Sequence, residues 1–261
     1  MKHITFHFIF FLLLCNINTA IGQQSFKDEV IGKGRPMIFI PGLYSAGEVW
    51  KEAASRFAGS YECHLITLPG FAGVPPIKSD SILATLANEL AVYIKQKGLK
   101  QPIIVGHSLG GWLALKIGVT HPEVVGDLVI VSSAPFLPAL MDAASTAESA
   151  RPMATQMRAG MVAQTPDEVR TYQKMMLPGM ISDTAKVAVA LEQAVKSDAA
   201  TQGQVMYELF TSDLRPAIGI IPTRILVMGD WAGYKTYGAT NASVTKAFTD
   251  QFVLAPRTSV V

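Results

Sequence analysis

Pro102-Ile103-Ile104-Val105-Gly106-His107-Ser108-Leu109-Gly110-Gly111 decides the reading of this chain. A short β-branched run ends at Gly106, and Leu109 to Gly118 continues as an apolar helical pattern, so Ser108 sits where a strand turns sharply into a helix. At ordinary Gly and Ser frequencies, a bare Gly-x-Ser-x-Gly arises by chance in roughly one chain in ten of this size. The flanking strand and helix therefore carry the argument. A turn this sharp leaves no room for bulky side chains two residues to either side of the serine, and Gly106 and Gly110 occupy those places. It lifts the hydroxyl above the sheet, and the first N–H groups of the following helix, with their positive dipole end, point at the same spot. Ser108 is the candidate nucleophile, and the Leu109 N–H one candidate oxyanion donor.

Outward from this turn, strand-like and helix-like segments alternate, the pattern of a mostly parallel sheet with helices on both faces. Strands are expected at Pro36 to Ile40, Glu62 to Leu68, Pro102 to Val105, Leu128 to Ser132 and Thr223 to Met228. Helices are expected at Gly47 to Phe57, Ser81 to Lys97, Leu109 to Gly118 and Ala242 to Phe252, with Asp80 or Ser81 capping the second and Asn241 the last. Leu83, Leu86, Leu90 and Ile94 form a core-facing stripe on the second helix. From about Pro135 to Pro216 the pattern is helical without a strand, as in an inserted cap, and carries seven methionines between Met141 and Met180. Flexible thioethers suit either an apolar substrate pocket or packing between small helices. The turn Pro41-Gly42-Leu43, closing the Pro36 to Ile40 strand, is either a tight turn only or the source of a second oxyanion donor, the Leu43 N–H.

With 49% hydrophobic residues over 261 positions, the chain has material for one medium α/β domain. Lys plus Arg number 22 against 20 Asp plus Glu, without basic runs, so no electrostatic footprint for nucleic acid is present. Lys2, an apolar run from Ile4 to Cys15 and a small, polar stretch from Asn16 to Gly22 follow the grammar of a signal peptide cut after Gly22. The run is shorter than the roughly twenty residues that span a bilayer, so the expected product is secreted or periplasmic, without a stable membrane anchor. Cys15 leaves with the leader. Cys63 then has no intramolecular partner and, in an apolar stretch, reads as a small core residue.

Three motifs in chain order, the strand ending in Pro41-Gly42, then Leu68-Pro69-Gly70-Phe71-Ala72-Gly73, then Gly106-His107-Ser108-Leu109-Gly110-Gly111, resemble the α/β-hydrolase family from about Val30 onward. The resemblance implies an eight-stranded, mostly parallel sheet, a helical cap after the sixth strand, and a Ser-acid-His triad in that order. Family members cleave esters, thioesters, amides, epoxides or carbon-carbon bonds, so the fold does not choose the substrate. Pro41 stands where many members have His, which leaves the backbone donor intact.

In the family the acid follows the seventh strand, commonly three residues after a Gly. Here that residue is Ala232, and the nearby carboxylate is Asp230, directly after Gly229; Asp213 is the fallback. The base comes last in the family, yet the histidines are His3, His7, His64, His107 and His121, all before Asp230. His3 and His7 belong to the leader, His64 to a strand, His107 to the elbow with its ring turned from Ser108, and His121 to a helix end. The tail from Gln251 to Val261 resembles the lead into the family's last strand, so the final strand and helix are expected to be incomplete and the chain to stop short of its histidine. The expectation is a serine hydrolase for a small apolar acyl compound, needing no metal or organic cofactor, with oligomeric state open. A non-catalytic binding protein on the same scaffold is the alternative, and a base lent by a partner chain a third.

Overall fold

The computed structural model describes residues 24–232, 235 and 238–261. The stretch up to Gly22 expected to be a leader lies outside them, and no helix among the described residues is long and apolar enough to cross a membrane.

Seven strands form one sheet in the order β1-β3-β2-β4-β5-β6-β7. They are β1 (Lys27–Gly32), β2 (Arg35–Ile40), β3 (Tyr61–Thr67), β4 (Ile103–His107), β5 (Leu128–Val131), β6 (Ile225–Met228) and β7 (Thr258–Val260). Only the β1–β3 pair is antiparallel. The count is one below what the resemblance implies, so the helical insertion follows β5 and Asp230 follows β6. β1 escapes a reading by apolar periodicity because its Lys-Asp-Glu start and largely exposed side chains carry no hydrophobic run. The expected last strand is present as the three-residue β7.

Crossovers between parallel strands need covering helices, and these take both faces. On one face α2 (Ile82–Gln96), α3 (Leu109–Thr120) and α8 (Asn241–Gln251) bury the main core, where Leu83, Leu86, Leu90 and Ile94 meet Trp112, Ile104, Ile130, Val227 and Phe248. On the other, α1 (Lys51–Phe57) covers Met37, Phe39, Cys63, Leu65 and Val105. Cys63 is fully buried, and burial raises its thiol pKa, as fits a core thiol. Alternation along β6 buries Ile225 and Val227 and leaves Leu226 and Met228 exposed on the opposite face.

Between β5 and β6 lie α4 (Ala147–Val162), α5 (Pro166–Met176), α6 (Thr184–Val195) and α7 (Ala199–Thr211), with α4 packed on α7 and α5 on α6. Met141, Met153, Met175 and Met180 are exposed. Met157 packs against the core.

Two helix starts differ from the sequence expectation. At α8 the side-chain cap is Thr240 in a reciprocal pair with Ser243, one residue before Asn241. At α2, Ser81 makes no side-chain cap; instead Glu208 on α7 accepts from Ile82 N and Leu83 N, each at 2.8 Å. A carboxylate from the insertion thus satisfies the orphan donors of a core helix and complements its dipole. Replacing Glu208 with Leu leaves two buried N–H groups unpaired. It is expected to lower unfolding free energy by about 2–3 kcal/mol. Urea unfolding of Glu208→Leu beside the parent chain reads this directly, and an unchanged midpoint would show that the contact contributes nothing.

Candidate active site

Ser108 adopts φ 50° and ψ −115° between β4 and α3, a conformation that costs a non-glycine residue about 1–3 kcal/mol. Its N–H is used by Val131 O at 2.9 Å, and its O receives the first helical bond, from Trp112 N at 3.1 Å. The neighbouring glycines are steric requirements. A Cβ on Gly106 would lie 2.2 Å from Gly110 O, and one on Gly110 would lie 2.2 Å from Ile40 O and 2.7 Å from Pro41 O. A Cβ on Gly111 would meet Ser133 at 2.6 Å. The start of α3 is thus pressed against the end of β2, and the sharp turn and the Pro41-Gly42 loop form one unit.

This contact places the second donor segment. Gly42 packs on Ser108, since a Cβ there would sit 3.4 Å from Ser108 Cβ and 2.8 Å from His107 Nδ1. Gly42 to Ser45 closes as a turn, Ser45 N donating to Gly42 O at 3.3 Å, with Tyr44 at φ 68°. Leu43 lies in this turn, half-buried, and Leu109 opens α3, where its N–H has no intrahelical acceptor. The two donors proposed from sequence therefore flank Ser108 on segments that touch.

The Tyr44 phenol is half-buried beside Tyr172 and Gln173 of α5. Its pKa is pushed up to about 12 by burial and by Tyr172, while Gln173, donating toward the oxygen, works against the rise. The phenol stays neutral at physiological pH.

Asp230 is half-buried at the end of β6, and it has interactions with its surroundings. β4 and β6 are separated only by β5, so Ser108 and Asp230 stand on strands about 10 Å apart at the same edge of the sheet. A bridging group the size of an imidazole is needed to couple them. His107 lies beside this gap. Surrounding protein lowers its pKa, and the Asp230 carboxylate partly offsets that, although the ring remains open to solvent at its edge. Its ring rests on Gly42, against the donor loop.

The other described histidines are engaged elsewhere. His64 is buried in β3, with Nδ1 2.6 Å from Tyr93 Oη and Nε2 2.9 Å from Glu62. His121 bonds Asn88 at 2.8 Å at the far end of α3, about 18 Å of helix from the nucleophile. Asp213, the fallback acid, is held by Arg215, whose Nη2 and Nε contact its carboxylate at 2.6 to 3.1 Å.

A profile of the alpha/beta hydrolase family matches residues 37–260. The chain belongs to this family. Over 154 residues it is 32% identical to the pimeloyl-[acyl-carrier protein] methyl ester esterase of Aeromonas salmonicida, the match covering 58% of this chain and 59% of that relative. A putative carbamate hydrolase of Serratia proteamaculans is 29% identical over 117 residues, 42% of this chain and 43% of that protein. The two matches thus span 59% and 43% of those relatives' own lengths. Among solved structures it is similar to an esterase from Exiguobacterium antarcticum, with TM-score 0.73 and 15% identity over 90% of this chain and 85% of that one. It is also similar to the enol-lactonase of Burkholderia xenovorans LB400, with TM-score 0.67 and 14% identity over 90% and 87%. These identities speak for the fold alone.

In this family member, packing around the sharp turn leaves no slack at Gly110. Gly110→Ala drives a Cβ into two backbone oxygens, and backbone cannot give way as a side-chain tip does. The variant is expected to lose at least about 3 kcal/mol of stability or fail to accumulate as folded protein. Gly59→Ala, where no atom lies within 4 Å, is the control and should leave thermal unfolding nearly unchanged. Equal melting of the two variants would contradict the packing described.

Proposed function

We propose that this hydrolase is an exported serine hydrolase acting on a small apolar acyl ester, with Ser108 as nucleophile, the N–H groups of Leu43 and Leu109 as oxyanion donors and Asp230 as the triad acid. The observation that carries the proposal is Ser108 in a left-handed turn, packed against Gly42 of the donor loop. In the proposed reaction the Ser108 oxygen attacks the ester carbonyl, and the oxyanion forms between the two donors. The alcohol leaves with a proton, and water then splits the acyl-enzyme. The methyl ester esterase named among the relatives supports an acyl ester as the substrate class. The leader-like residues up to Gly22 support export.

The proton on Ser108 needs an acceptor, and the resemblance assigns that role to a histidine following the last strand. The end of β7 lies beside the acid: Gly229 N donates to Val261 O at 2.9 Å, immediately before Asp230. Free imidazole can supply a proton acceptor in solution. That makes the base testable apart from the nucleophile.

The test is covalent labelling of the full chain with a fluorophosphonate, with and without imidazole, and peptide mapping of the adduct. Labelling is expected at Ser108, absent in Ser108→Ala, and accelerated by imidazole, with the acceleration at least about tenfold weaker in Asp230→Asn. A chain that binds short-chain esters by thermal shift, yet never labels at Ser108 even with imidazole, is the non-catalytic binding protein instead. In the described residues His64 and His121 are committed away from Ser108, which is the observation favouring that second reading.

A further inference from the structure

The loop carrying the proposed Leu43 donor is not closed by the core alone. Beyond its turn, Ala46 N donates to Gln193 Oε1 of α6 at 3.0 Å, while Gly47 N donates to Thr67 Oγ1 of β3 at 2.9 Å. Gln193 is 8% exposed, and its Nε2 reaches Glu48 Oε2 at 3.4 Å. Its backbone oxygen accepts from Ser197 Oγ, which in turn accepts from Ala72 N in the loop after β3. Tyr44, directly after Leu43, is held in a left-handed conformation with its phenol beside Gln173 of α5. A tyrosine rarely adopts φ near 68° unless its surroundings fix it, and here those surroundings include the insertion.

Resting on the reading of Leu43 as an oxyanion donor, we propose that Gln193 is a positioning residue for acyl transfer: through Ala46 it sets the geometry of the donor loop, so α6 tunes the oxyanion hole. A buried amide that satisfies one backbone N–H is worth about 1 kcal/mol to the fold. Its effect on catalysis is larger when the loop it holds must place a donor to within a fraction of an ångström. Gln193 touches neither substrate nor Ser108. It acts on the transition state through a loop three residues away.

The experiment is saturation labelling of the full chain by a fluorophosphonate, which separates the maximal rate of Ser108 modification from reagent affinity. Gln193→Met, close in volume and unable to accept the bond, is expected to lower the maximal rate about tenfold or more with affinity unchanged. The double exchange Gln193→Glu with Glu48→Gln keeps an acceptor for Ala46 N–H without opposing two carboxylates, and should return the rate to within about twofold of the parent. Hydrogen exchange over residues 42–48 should be faster in Gln193→Met and restored in the double variant. A lower melting temperature in Gln193→Met with the parental labelling rate would assign the residue a purely structural role and overturn the inference. Parental chain that never labels, with imidazole present and residues 42–48 protected, would overturn the catalytic reading of Ser108 and the role of Gln193 with it.

Discussion

The close approach of Gly110 to the end of β2 is the constraint on which the rest of the site depends. No side chain fits between the first turn of α3 and the carbonyls of Ile40 and Pro41. Because that gap is closed, β4 must break sharply at Ser108, and the serine is held at positive φ. The same contact lays the Gly42 to Ser45 turn against Ser108, so two backbone segments distant in sequence arrive together. The strain at Ser108 is a small fraction of the core burial that imposes it.

The insertion between β5 and β6 is joined to the core by a few side-chain to backbone bonds. Glu208 completes the start of α2, Gln193 holds the donor loop, and Ser197 takes the N–H of Ala72. Each satisfies a donor that the core leaves open, at the sheet edge where Ser108 emerges. Met141, Met153, Met175 and Met180 of the same segment are exposed to solvent. Polar attachment at the edge and apolar packing below it give the site a floor of backbone and a roof of helices.

Much of this was legible in the chain itself. The apolar runs ending at Ile40, Thr67, Val105, Val131 and Met228 mark the parallel strands because buried strands are apolar throughout. β1 was not legible, since an edge strand with one exposed face needs no apolar run. Ser108 and its glycines were readable because a sharp turn limits residue type locally. Gln193, Glu208 and Tyr44 were not, for a glutamine or glutamate on a helix looks like any solvated residue until its acceptor meets a distant N–H.

By itself, then, the sequence determined the parallel strands from β2 to β6, the sharp turn at Ser108 and the stretch that places a carboxylate after β6, because backbone sterics and burial act within a few residues. Tertiary structure alone decided that Asp230 and Ser108 share one edge two strands apart, that Asp213 is taken by Arg215, and that Glu208 stands in for a cap Ser81 does not make. The physical reason is the same in each case. Sterics and burial are written in neighbouring residues, whereas the pairing of a charge or a donor depends on which strands and helices the fold brings side by side.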